Sequence, residues 1–182
     1  MDIGKMLRVT HRDEWRAWLE KHHATELEIW LVFAKKASGE AGISYNDAVE
    51  EALCFGWIYS IVKSLDAEHR AQRFTPRRPR SPLSEMNKER ARRLAAAGKM
   101  TRAGLASARN VLHERFEVPD DILAALQADP ETWRNFQAFP ESYKRIRVGW
   151  IDGSRNRPDF FEMRLRYFLR MTKQNKRFGM VQ

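Results

Sequence analysis

Three prolines fall within the seven residues 76–82, PRRPRSP, and this segment constrains the chain more than any other. Proline lacks the backbone N–H that strand ladders and helix interiors use, and its ring fixes φ, so neither element runs through the segment. The chain must cross it as an extended loop that separates the N-terminal 75 residues from the C-terminal hundred. Before the loop the periodicities are mixed. Thr10 with Asp13 reads as a capping box opening a helix that puts Trp15, Trp18 and Leu19 on one face. Glu26 to Ala34 alternates Leu27, Ile29, Leu31 and Phe33 against Glu28, Trp30 and Val32, a strand pattern. Ser44, with Asp47 three residues on, caps a second helix, and Gly56 stops it in a left-handed conformation. Trp57 to Leu65 and Arg70 to Thr75 are β-rich on either side of DAEH and read as a hairpin.

After the loop every signal is helical. Ser84 caps a helix ending at Gly98, and Thr101 opens another that runs through Leu105, Ala108, Val111 and Leu112 to Arg115. Val118-Pro119, Asp129-Pro130 and Phe139-Pro140 place a proline at three successive helix starts. A last helix, residues 158–174, is expected to turn Phe160, Phe161, Met163, Leu165, Tyr167, Phe168 and Met171 inward. The expected fold class is therefore α+β: a small antiparallel β-sheet of three or four strands with packing helices over residues 1–100, and an all-helical region over 101–182 packed on it.

At 43% apolar and 31% charged residues the composition is that of a globular protein, neither disordered nor fibrous. No apolar run approaches the ~20 residues of a membrane span, and MDIGKMLRVTHRDEW has no apolar stretch of the secretory kind, so the expected location is the cytoplasm. A single cysteine, Cys54, excludes an intrachain disulfide and any zinc site built on several cysteines. The net charge of +9 is concentrated: residues 70–93 carry nine basic and two acidic side chains, residues 144–177 eleven and three, and the remaining 124 residues net −6. Basic segments on a mildly acidic body raise the local concentration of phosphates, nucleic acid or anionic headgroups.

The segments WRAWLEKHH, ELEIWLVFAKK, ISYNDAVEEALCFGWI, RFTPRRPRSPLSEMN and AGKMTRAGL, in that order, resemble the bacteriocin-protection family, also called YdeI/OmpD-associated proteins. The resemblance is closest over residues 12–105 and looser over the tail VPDDILAALQADPETWRNF. It implies a small cytosolic bacterial protein with a protective role and no assigned chemistry. FGWIYS stands where the family usually has FGWID and a small residue, and Leu83 stands at a position commonly tryptophan.

The matched positions form a candidate cleft. Trp57 follows the helix-ending Gly56, Arg73 and Thr75 alternate on one face of a hairpin strand, Arg77 continues past it, Lys35 ends the first strand, and Ser84 and Asn87 begin a helix, whose N-terminus favours anions. Trp57, Tyr59 and Ile61 are expected to face this cleft while Ile58 and Val62 face the core, so that Trp30, Trp57 or Tyr59 stacks on a planar ligand beside the guanidinium groups. Arg78 and Arg80 extend the basic loop. The function expected is binding of a small anionic or planar molecule. Single-stranded nucleic acid or RNA, with arginines on phosphates and aromatic rings on bases, is the alternative. A PRRPRSP segment docking as polyproline II, or an enzyme of unknown reaction, ranks below it.

No residue is assigned a catalytic role. Glu50 and Glu51 are neighbours about 100° apart on a helix, a solvated face accounting for at least one of them, and no His is placed to activate Cys54, which is expected to be buried and inert. His22 and Glu26 lack a third ligand at a recognised spacing, so no metal is expected, and no nucleotide or cofactor loop motif occurs.

Overall fold

A computed structural model of the protein describes residues 2–35, 38–79 and 81–179. The chain divides into two compact units: Met1–Ser81 with Arg90–Leu112, and Pro82–Glu89 with His113–Gln182.

The first unit holds strands β1 (Met6–Arg8), β2 (Ile29–Ala34), β3 (Trp57–Ser64) and β4 (His69–Pro76) and helices α1 (Arg12–His22), α2 (Tyr45–Cys54) and α4 (Arg102–Leu112). The sheet order is β1-β2-β4-β3. β2 and β4 pair antiparallel, Leu31 opposite Gln72, and β3 and β4 form the expected hairpin. The sheet is nonetheless mixed, because β1 pairs parallel to β2 with Leu7 opposite Leu31. Three residues show no alternation, and a parallel partner needs a crossover that α1 supplies. β2 is shorter than its sequence pattern: it begins at Ile29, Leu27 is exposed, and Ile29 through Phe33 are buried on both faces, as befits an inner strand.

α1 begins one residue later than the Thr10/Asp13 reading. Its cap is His11, and the Glu14 carboxylate accepts from the backbone N–H of Thr10 at 2.7 Å, holding Glu14 below the ordinary range. Trp15 and Leu19 are fully buried, and the Trp15 indole donates to the Ala48 carbonyl of α2 at 3.1 Å. α2 is capped as expected, Ser44 Oγ accepting from Asp47 N at 3.0 Å, and Gly56 takes φ +74° just past its end.

The second unit is helical: α5 (Asp120–Gln127), α6 (Pro130–Ala138), α7 (Glu141–Asp152) and α8 (Pro158–Lys173), together with the first residues of α3 (Glu85–Ala96). Pro119 and Pro140 are the caps of α5 and α7 and Pro130 opens α6, where Asp129 accepts from Thr132 N at 2.9 Å. Ile122, Leu126, Phe136, Tyr143, Ile151 and Phe168 form its core. Phe160 and Met163, expected inward, are 46% and 54% exposed, because Met163 lies about 140° around α8 from Phe168. No helix among the described residues is long and apolar enough to cross a membrane.

Candidate functional site

Two glycines organise the part of the first unit where the basic loop leaves the sheet. A Cβ on Gly104 would lie 2.2 Å from the Cys54 carbonyl oxygen, so α4 runs against the end of α2 backbone to backbone. Gly56 approaches from the other side, where a Cβ would stand 3.1 Å from both the Ala103 carbonyl oxygen and Ser107 Cβ. Thr101 ties the crossing together. Its N–H and hydroxyl both donate to the Cys54 carbonyl, at 2.9 and 2.7 Å, and its Oγ1 accepts from Gly104 N at 3.2 Å.

Against this crossing β4 ends and the proline-rich loop begins. Arg77 N donates to the Gly56 carbonyl at 2.9 Å, and the Arg77 guanidinium donates to the carbonyls of Ser107 and Ser81. Its Nε is buried with no acceptor, and burial lowers its pKa from the ordinary arginine value. Between loop and helix lies a groove of about 400 Å³ lined by Arg77, Arg78 and Pro79 on one side and by Ser107, Arg109 and Asn110, with Ala106 and Val111, on the other. Among the described residues three guanidinium groups border it and no carboxylate does. Such a groove concentrates anions, and the planar fork of arginine suits two oxygens of one phosphate or carboxylate.

Of the residues anticipated for the cleft and its basic loop, Arg77 and Arg78 line this groove. Trp57 is 1% exposed, in edge-to-face contact with Trp18 at 5.8 Å, its indole donating to the His23 carbonyl at 3.1 Å. This corrects its assignment as a stacking platform: α1 covers the Trp57 face of β3, and the expected core residue Val62 is 49% exposed instead. The register shift between Tyr59 and Val62 breaks the simple alternation on which that assignment rested. Trp30 is also fully buried. Tyr59 is half-buried against Tyr45 and Phe74. Arg73 is committed to Glu28, Nε to Oε2 at 2.7 Å, and Thr75 sits half-buried opposite Ile58. Lys35 closes the hairpin by donating to Ser64 Oγ at 2.9 Å and the Asp66 carbonyl at 2.6 Å. Ser84 and Asn87 belong to the second unit, where Ser84 Oγ accepts from Asn87 N at 3.4 Å and the Asn87 side chain is buried. Arg80 lies outside the described residues. Arg109 and Asn110 were not anticipated, since thirty residues of chain separate them from the loop.

The acidic pair of α2 is not a solvated face. Glu50 and Glu51 are both buried. Glu51 accepts from Arg12 Nε and Arg16 Nη1, each at 2.9 Å, and Arg12 reaches Asp47 at 2.9 Å, while Glu50 accepts from Arg93. These carboxylates hold α1 and α3 to α2. Cys54 is fully enclosed, and burial pushes its thiol up to about 11, away from the thiolate form that nucleophilic chemistry requires. Among the described residues no group of three or more His, Cys, Asp or Glu is placed to hold a metal ion.

Two family models match the chain. One, described as a domain of unknown function (DUF8412), covers residues 7–107. The other, described as bacteriocin-protection, YdeI or OmpD-associated, covers residues 115–175, the helical tail where the resemblance was the looser one. No curated protein and no solved structure matches the chain.

Proposed function

Because the chain belongs, through residues 7–107, to the family described as a domain of unknown function, we propose from the geometry that it is a cytoplasmic binding protein for a small anionic molecule. The site is the arginine groove of the first unit. The observation that carries this reading is the lining itself, with Arg77, Arg78 and Arg109 around about 400 Å³ and no bordering carboxylate among the described residues. Arg77 is the fixed member, anchored through two carbonyls. Arg78 and Arg109 are exposed and supply charge to an incoming ligand. The site offers cations, a hydroxyl and an amide, and no acid–base pair, so the reading is of binding, in the service of the protective role that the match over residues 115–175 suggests.

Titration calorimetry with inorganic phosphate and pyrophosphate on the full chain tests it. Saturable binding is expected, and Arg109→Gln should weaken it about tenfold, the loss of one charge-assisted contact worth ~1.4 kcal/mol. Its melting temperature should stay within about 2 °C, since the side chain is exposed. Unchanged binding by Arg109→Gln would refute the assignment. A steep salt dependence with a single-stranded oligonucleotide, near ~0.7 per phosphate neutralised, would transfer the groove to nucleic acid.

A further inference from the structure

The second unit contains a buried cation that meets no counter-charge among the described residues. Arg147 on α7 is 7% exposed, its Nε has no hydrogen-bond acceptor, and among the described residues it forms no ion pair. Its guanidinium is surrounded by rings, 4.8 Å from the centroid of Phe178, 5.7 Å from Trp150 and 5.9 Å from Tyr143. Aromatic faces offset part of the charge, yet they offer nothing to N–H groups lying in the guanidinium plane.

Arg147 also lines a cavity of about 500 Å³ whose other walls are mostly apolar: Leu83 and Met86 from the start of α3, and Ile146 and Trp150 from α7. The two helices approach closely at Gly149, where a Cβ would fall 2.0 Å from Glu85 Cγ, so residues 82–86 form a wall facing α7. Two carboxylates border the space, and each is already neutralised: Glu85 by Lys88 and Asp152 by Arg155, both at 2.5 Å. Among the described residues Arg147 therefore remains as an uncompensated charge on this space. The first turn of α3 adds backbone N–H groups on the same wall, with the polarity that favours an anion.

We infer that this cavity is a second, independent binding site, for a small aromatic or apolar monocarboxylate. Its carboxylate pairs with Arg147, and its body lies against Trp150, Met86 and Leu83. An apolar wall with one convergent charge selects such an amphiphile over inorganic phosphate, which gains nothing from the hydrophobic surface.

The test uses full-length protein and benzoate, with benzamide as the neutral isostere. Millimolar benzoate should shift the Trp150 indole N–H and the Gly149 amide saturably in a nitrogen–proton correlation spectrum, and benzamide should shift them at least tenfold less. Arg147→Gln should remove the benzoate response, and Arg147→Lys should retain a weakened one, because the charge persists without the fork. If Arg147→Gln fails to fold, Met86→Trp fills the cavity from α3 and leaves Arg147 in place, and it too should weaken benzoate at least tenfold. Equal shifts from benzamide, no shift with benzoate, or full benzoate binding by Met86→Trp overturns the inference. Phosphate binding at the arginine groove is read by calorimetry on Arg109→Gln, a different ligand and a different variant, so either site can fail without the other.

Discussion

The Gly104 Cα faces the Cys54 carbonyl so closely that a single added methyl would stand 2.2 Å from its oxygen. In an open helix, Gly→Ala stabilises by ~1 kcal/mol. Here the contact is with backbone and cannot be relieved by a rotamer change. Gly104→Ala is expected to destabilise by about 2 kcal/mol, the range of an overpacked site, and to weaken phosphate binding by moving Ser107 and Arg109 away from the loop. Urea denaturation measures the first effect and calorimetry the second.

Glu51→Gln is expected to cost about 2–3 kcal/mol, because it removes the charge that two guanidinium groups were positioned to meet. Arg12 and Arg16 keep roughly a third of their side-chain surface, which places the cost below that of a fully buried pair. Chemical denaturation of the single variant and of Glu51→Gln with Arg12→Met measures it, the double change recovering part of the loss.

His69 lies between two carboxylates, Nε2 at 3.1 Å from Glu40 and Nδ1 at 3.0 Å from Asp66. Its pKa is raised, by Glu40 first and then Asp66, and both carboxyls are held low by His69. The sign is fixed by that direction. The His69 contribution is fully present below its unfolded pKa of about 6.5 and is lost as pH rises through the higher folded value. The contributions of Glu40 and Asp66 are lost as pH falls through their depressed values, below about 4. The stability difference between wild type and His69→Gln should therefore peak between pH 4 and 6.5, to the nearest unit or so, and shrink on either side. Thermal melts from pH 3 to 9 track it.

Trp57→Phe removes the indole donor to the His23 carbonyl and leaves space beside Trp18. A loss of about 1–3 kcal/mol is expected, combining one hydrogen bond and a partly filled cavity. Phosphate affinity should not change, as the indole does not line the groove.

What the sequence disclosed was whatever it encodes locally. Ser44, Gly56, Asp129 and the prolines at 119, 130 and 140 mark helix ends through their own backbone chemistry, and each marks the end observed. β1 escaped notice because three residues carry no period, and its parallel partner lies more than twenty residues away. The face of β3 was misread for a related reason: Trp57 and Ile58 are both apolar, and the tie is decided by where Trp18 of α1 packs. Arg77 was legible from charge and proline together. Arg109 and Asn110 join it only through a helix crossing whose cause, Gly104, resembles a weak helix former in the sequence.

The shift in pairing between Tyr59 and Val62 falls on β3, the last strand of the sheet. An outermost strand that kept perfect pairing would present an unbroken row of backbone donors and acceptors, with Ile61 and Val62 beside it at 43% and 49% exposure. Such a rim is a template for another chain. A break in pairing of this kind adds twist to a strand, and here it falls where the side chains are most apolar, so the irregularity that undid the alternation also interrupts that row.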